Sequence, residues 1–151
     1  MSKLNAQFDN SSDKKKFHPV PRGAFSLSDK LLIAGQRCLV LEDEFLIALD
    51  LQQILETAGA VRVICVSSIA DALTQLSRER FTVAVVDMMI DGVQSAAVTD
   101  ELLRQKIPFV FLTGMSPDAA QARGLPAAPL VGEPYQPDRL IAALNQVIQQ
   151  H

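Results

Sequence analysis

The chain has 151 residues, 48% hydrophobic and 21% charged, with a formal net charge of −3. That length suits one domain with a single core, and no apolar run approaches the roughly 18–20 residues of a membrane span. The polar start, with Lys14, Lys15 and Lys16 in a row, lacks a signal-peptide apolar core, so a cytoplasmic protein is expected.

Residues 1–30 carry six Lys/Arg against three Asp, and residues 31–151 carry eight against fourteen acids. A general nucleic-acid surface on the acidic part is disfavoured. Residues 1–24 are polar, hold Pro19 and Pro21 and show no apolar period; residues 1–35 read as a mostly disordered extension, and 36–151 as the folded domain. The stretch 24–36 is ambiguous: Phe25, Leu27, Leu31, Leu32 and Ile33 suit an added strand or a short helix.

From Gln36 a rhythm sets in. "RCLVLE" is a short apolar strand. In "EFLIALDLQQILETAG" Ile47, Leu51, Ile54, Leu55 and Ala58 fall at helical spacing before Gly59, which stops the helix. "VRVICV" is strand-like, and "SSIADALTQLSRE" predicts a helix burying Ile69, Ala72, Leu73 and Leu76 behind a Ser67 or Ser68 cap. "FTVAVVDMMI" reads as a continuous apolar strand ending at Asp87, "VQSAAVTDELLRQK" as a weaker helix and "IPFVFLTG" as a strand. Pro117, Gly124, Pro126, Pro129, Gly132 and Pro134 then permit only a short helix near 117–122 and a short strand near 129–132. "PDRLIAALNQVIQQ" closes as a helix with Leu140, Ile141, Leu144 and Ile148 inward. Cys38 and Cys65 lie inside apolar runs and read as buried free thiols rather than a disulfide.

Apolar strands alternating with helices predict a parallel sheet covered on both faces. Right-handed crossovers make it a five-stranded α/β sandwich. Ligands of such sheets sit at the carboxyl ends of the strands, where Glu42, Asp43, Asp87, Thr113 and Glu133 fall. With strand order 2-1-3-4-5, Glu42, Asp43 and Asp87 converge. Clustered carboxylates need a cation, and hard oxygen donors with room for water suit Mg²⁺. A metal-bound carboxylate beside a hydroxyl suggests phosphoryl chemistry, with Asp87 as nucleophile and Thr113 holding a phosphoryl oxygen. A Mg²⁺ hydrolase is a weaker reading, since Met89 stands where a D-x-D general acid would be. No Gly-rich phosphate loop follows the first strand.

The acid pair Glu42-Asp43, Asp87 with Gly92 soon after, Thr113-Gly114 and the Xaa-Pro at 133–134 resemble a bacterial response-regulator receiver domain over residues 36–149. That resemblance implies a flavodoxin-like (βα)5 three-layer sandwich. It also implies phosphorylation of Asp87 and Mg²⁺ held by Glu42, Asp43, Asp87 and the Met89 backbone carbonyl. The donor it implies is a sensor histidine kinase or a histidine phosphotransfer protein. "PFVFLTGM" is similar to the single-domain FAT GUY subset, whose fourth helix is short or disordered. The chain ends after its last helix, so a regulator without an output domain is expected, signalling through protein contacts as a monomer or weak homodimer, with no nucleic acid and no membrane.

Two positions depart from the family. Receivers carry a Lys before the last-strand proline, whereas this chain has Glu133 and no Lys after Thr113. Two like charges about 4 Å apart at an effective dielectric near 20 repel by roughly 4 kcal/mol. Glu133 can turn toward Arg123 or water, bind the metal, or take a proton. The switch position, usually aromatic, is Leu130, and Met115 is a candidate for part of its packing. The alternative to a phosphoacceptor is a pseudo-receiver, an interaction module signalling without phosphorylation.

Overall fold

The computed structural model describes residues 32–151; of the expected extension over 1–35, residues 1–31, with Phe25, Leu27 and Leu31, lie outside the described residues. Residues 32–33 are helical, and Ile33 packs into the same core cluster as Leu51, Leu55 and Val83. In chain order the elements are β1 (Arg37–Leu41), α1 (Phe45–Thr57), β2 (Arg62–Val66), α2 (Ile69–Arg78), β3 (Val83–Asp87), β4 (Met89–Ile90), β5 (Val93–Gln94), α3 (Ala96–Arg104), β6 (Phe109–Thr113), α4 (Pro117–Gln121), β7 (Leu130–Gly132) and α5 (Pro137–Gln149).

Five strands form one sheet in the order β2-β1-β3-β6-β7, every pair parallel. Numbered by their succession along the chain, that is the expected 2-1-3-4-5. Because side chains alternate across a strand, each apolar strand feeds two cores. Cys38, Val40, Val83, Val85, Val110 and Leu112 join Leu51 and Leu55 of α1 and Leu140 and Leu144 of α5. Leu39, Leu41, Ala84, Val86, Phe109 and Phe111 join Ala72 and Leu76 of α2 and Val98 and Leu102 of α3. The result is the flavodoxin-like three-layer sandwich.

Local signals set the ends of several helices. Ser68 caps α2, its Oγ accepting from the Asp71 N–H at 3.1 Å. Gly59 follows α1 at φ 100°, a left-handed value that suits glycine. The short helix α4 and the three-residue strand β7 both form where the breakers allow them.

β3 ends at the expected Asp87, but the helix expected from Val93 needs correction: after Asp87, β4 and β5 form a separate antiparallel hairpin that the apolar pattern does not predict. Its tip, Asp91-Gly92, has φ of 48° and 77°, the sign pattern of a tight hairpin turn. Val93-Gln94 is therefore strand, and the next helix starts only at Ala96. In α5 Leu140, Ile141 and Leu144 are buried and Ile148 packs against the core as expected, with Val147 also buried on that side.

Candidate functional site

β1 and β3 are neighbours, so their carboxyl ends bring Glu42, Asp43 and Asp87 together. One carboxylate oxygen from each lies within 4.8 Å of the others. Glu42 is 2% exposed because its own N–H extends the sheet to the Val66 carbonyl at 3.0 Å. Its Oε1 accepts from the Glu44 N–H at 3.0 Å, while Oε2 is buried with no hydrogen-bond partner. Asp43 Oδ2 accepts from the Asp91 N–H at 3.1 Å. Asp87 Oδ1 accepts from the Met89 N–H at 3.0 Å.

Protonation reflects this crowding. Burial first, then the charges of Asp87 and Glu133 and contact with Asp43, push Glu42 up to about 8 against the pull of the Glu44 N–H. Asp87 is raised to about 6, again mainly by burial and then by Glu133 and Asp43, with the Met89 N–H opposing. An acidic cluster with an orphaned, buried oxygen has the donors and the unmet charge that a hard divalent cation supplies. The residues present fit such an ion.

Thr113 ends β6 next to β3 and is 4% exposed. Its Oγ1 accepts from the Met115 N–H at 3.0 Å, which leaves the hydroxyl proton free to donate. Glu133 follows β7, its N–H donating to the Thr113 carbonyl at 2.8 Å, and its peptide bond to Pro134 is cis. The side chain is half-buried, with Oε1 enclosed and unpartnered. Burial, then Glu44 and Asp43, raise its pKa.

Of the routes open to Glu133, pairing with Arg123 is not taken: Arg123 Nη1 faces the Met89 sulfur at 3.7 Å. Among the described residues the ion pairs are Arg37–Glu79, Arg62–Glu79 and Arg104–Glu101, none of them in the site. Glu133 also stands outside the three-acid set whose oxygens converge. It faces a cleft of about 600 Å³ shared with Glu44, Asp50, Gly114 and Tyr135. Leu130 is 37% exposed and Met115 half-buried.

Two contributors escape sequence reasoning. Asp91 supplies the backbone donor that orients Asp43, and the Asp-Gly pair was the available signal for that hairpin. Tyr135 donates to Asp50 Oδ2 at 2.7 Å, tying the β7–α5 loop to α1 beside Glu133; no local pattern announces a bond across that separation.

Fold and site together define a flavodoxin-like domain with an acidic pocket at the carboxyl edge of its sheet. The response regulator receiver domain profile matches residues 38–145, and the chain belongs to that family, a signalling family of two-component systems rather than one of enzymes. No curated protein matches the chain significantly. Among solved structures, SdrG from Sphingomonas melonis Fr1 is 33% identical, with a TM-score of 0.62 over 72% of this chain and 95% of that one. The response regulator PhyR from Brucella abortus is 28% identical, with a TM-score of 0.67 over 82% of this chain and 54% of that one. This chain thus spans about half the length of the PhyR structures. The receiver domain of the sensor histidine kinase PA1611 from Pseudomonas aeruginosa PAO1, whose cleft holds magnesium, shares the fold at 21% identity, with a TM-score of 0.64 over 77% of this chain and 99% of that one. Among the described residues no helix is long and apolar enough to cross a membrane.

Proposed function

We propose that residues 36–151 form a receiver domain that accepts a phosphoryl group on Asp87 from a histidine kinase or histidine phosphotransfer protein in the cytoplasm. The domain then signals by protein contact. The observation that carries this reading is the convergence of Glu42, Asp43 and Asp87 oxygens within 4.8 Å, with the Thr113 hydroxyl on the adjoining strand end.

Glu42, Asp43, Asp87 and the Met89 carbonyl would hold Mg²⁺, which when bound neutralises charge on phosphoryl oxygens. The Met89 N–H fixes the Asp87 carboxylate through Oδ1, and that carboxylate is the nucleophile. It forms an O–P bond as the donor's P–N bond breaks; the electron pair stays on the imidazole nitrogen, which takes a proton from solvent. Thr113, accepting from Met115, has its own proton to give to a phosphoryl oxygen.

Glu133 favours the second reading, an interaction module that keeps the shape and forgoes phosphorylation. It places a carboxylate where the family's ammonium would hold the transferred group. Intact mass after incubation with a small phosphodonor and Mg²⁺ separates the two. The phosphoacceptor reading expects one added phosphoryl group, lost in Asp87→Asn. No addition in the wild type, with addition restored by Glu133→Lys, would replace it with the interaction module.

A further inference from the structure

Three carboxylates converge at this pocket, none of the ion pairs among the described residues reaches it, and at the position that normally offsets the charge stands Glu133. Glu42, one of the three converging acids, is buried with Oε2 unpartnered, which suits the pocket to a positive ligand. Glu133 carries a second enclosed, unpartnered oxygen, Oε1. Its backbone is fixed by the bond to the Thr113 carbonyl. Its carboxylate lies over Gly114, where a Cβ would stand 3.8 Å from Oε2 in ordinary van der Waals contact. It nevertheless lies outside the three acids that close on one point.

We infer that Glu133 is an outer carboxylate of the divalent-cation site, one that raises cation affinity without becoming a direct ligand. This rests on the cation-site reading above. Small divalent ions retain several waters whose protons need acceptors, and an enclosed, unpartnered carboxylate oxygen beside the cluster offers one. Its negative charge attracts the ion through space as well.

Calorimetric titration of the full chain with Mg²⁺ and with Mn²⁺ tests this, with folding of each variant checked by circular dichroism. Glu133→Gln, which keeps the shape and removes the charge, is expected to weaken binding about tenfold, a loss typical of one nearby charge. Glu133→Lys is expected to weaken it further. The number of waters on bound Mn²⁺, read from water-proton relaxation, is expected to be equal in wild type and Glu133→Gln. Unchanged or tighter binding by Glu133→Gln overturns the inference and leaves the three-acid site standing. One more Mn²⁺-bound water in Glu133→Gln overturns the outer role in favour of direct ligation. No binding by the wild type removes the cation-site reading and this inference with it.

Discussion

Glu42→Gln should make the metal-free domain more stable. In the wild type, Glu42, Asp43 and Asp87 oxygens lie within 4.8 Å of one another; at an effective dielectric near 20, one such charge pair costs about 3 kcal/mol. The amide keeps the acceptor that the Glu44 N–H uses and turns an orphaned oxygen into a donor facing two carboxylates. A gain of about 3 kcal/mol corresponds to about 10 °C in Tm for a domain of this size. The pH dependence follows from the raised carboxyls, Glu42 from 4.5 to about 8 and Asp87 from 3.8 to about 6. Between the unfolded and folded values the native state holds protons that the unfolded chain has released, so stability falls as pH rises. With chelator present, wild-type stability should drop by about 1.4 kcal/mol per pH unit between pH 6 and 8, and the variant should be nearly flat there. Urea unfolding in chelator at pH 6, 7 and 8 measures both. A variant no more stable than wild type at pH 8, with parallel pH curves, would refute the account of Glu42 as a buried, repelled carboxyl.

Leu51 is fully buried between α1 and the sheet, so Leu51→Ala should cost about 2–5 kcal/mol in urea unfolding. Removing the Ser68 cap by Ser68→Ala frees the Asp71 N–H and should cost about 1 kcal/mol by the same assay. Gly92 sits at φ 77° with open space where a Cβ would stand. Gly92→Ala should therefore destabilise by about 1 kcal/mol through backbone strain alone. Its amide exchange should speed up at Asp91, whose N–H holds Asp43.

The sheet was readable because a strand buried on both faces is apolar at every position, as in "CLVL" and "VAVV", and because parallel strands put all their carboxyl ends on one edge. That single topological fact brought Glu42, Asp43, Asp87 and Thr113 together before any coordinates. The β4–β5 hairpin was not readable by periodicity, since two residues per strand are too few to show alternation. Only Asp91-Gly92 marked it. The Tyr135–Asp50 bond joins distant segments and leaves no local trace. The orientation of Glu133 depends on whether a cation reaches it in three dimensions, and Arg123 spends its reach on Met89 instead.

The breakers around β7 also decide how the sheet can be met from outside. β7 is the last strand of the open sheet and has only three residues. Pro129 precedes it and Pro134 closes the turn after it, and proline has no N–H to offer a newcomer. A row of backbone donors long enough to template another strand is missing there, so this margin resists edge-to-edge growth. Recognition on that side has to be written in side chains.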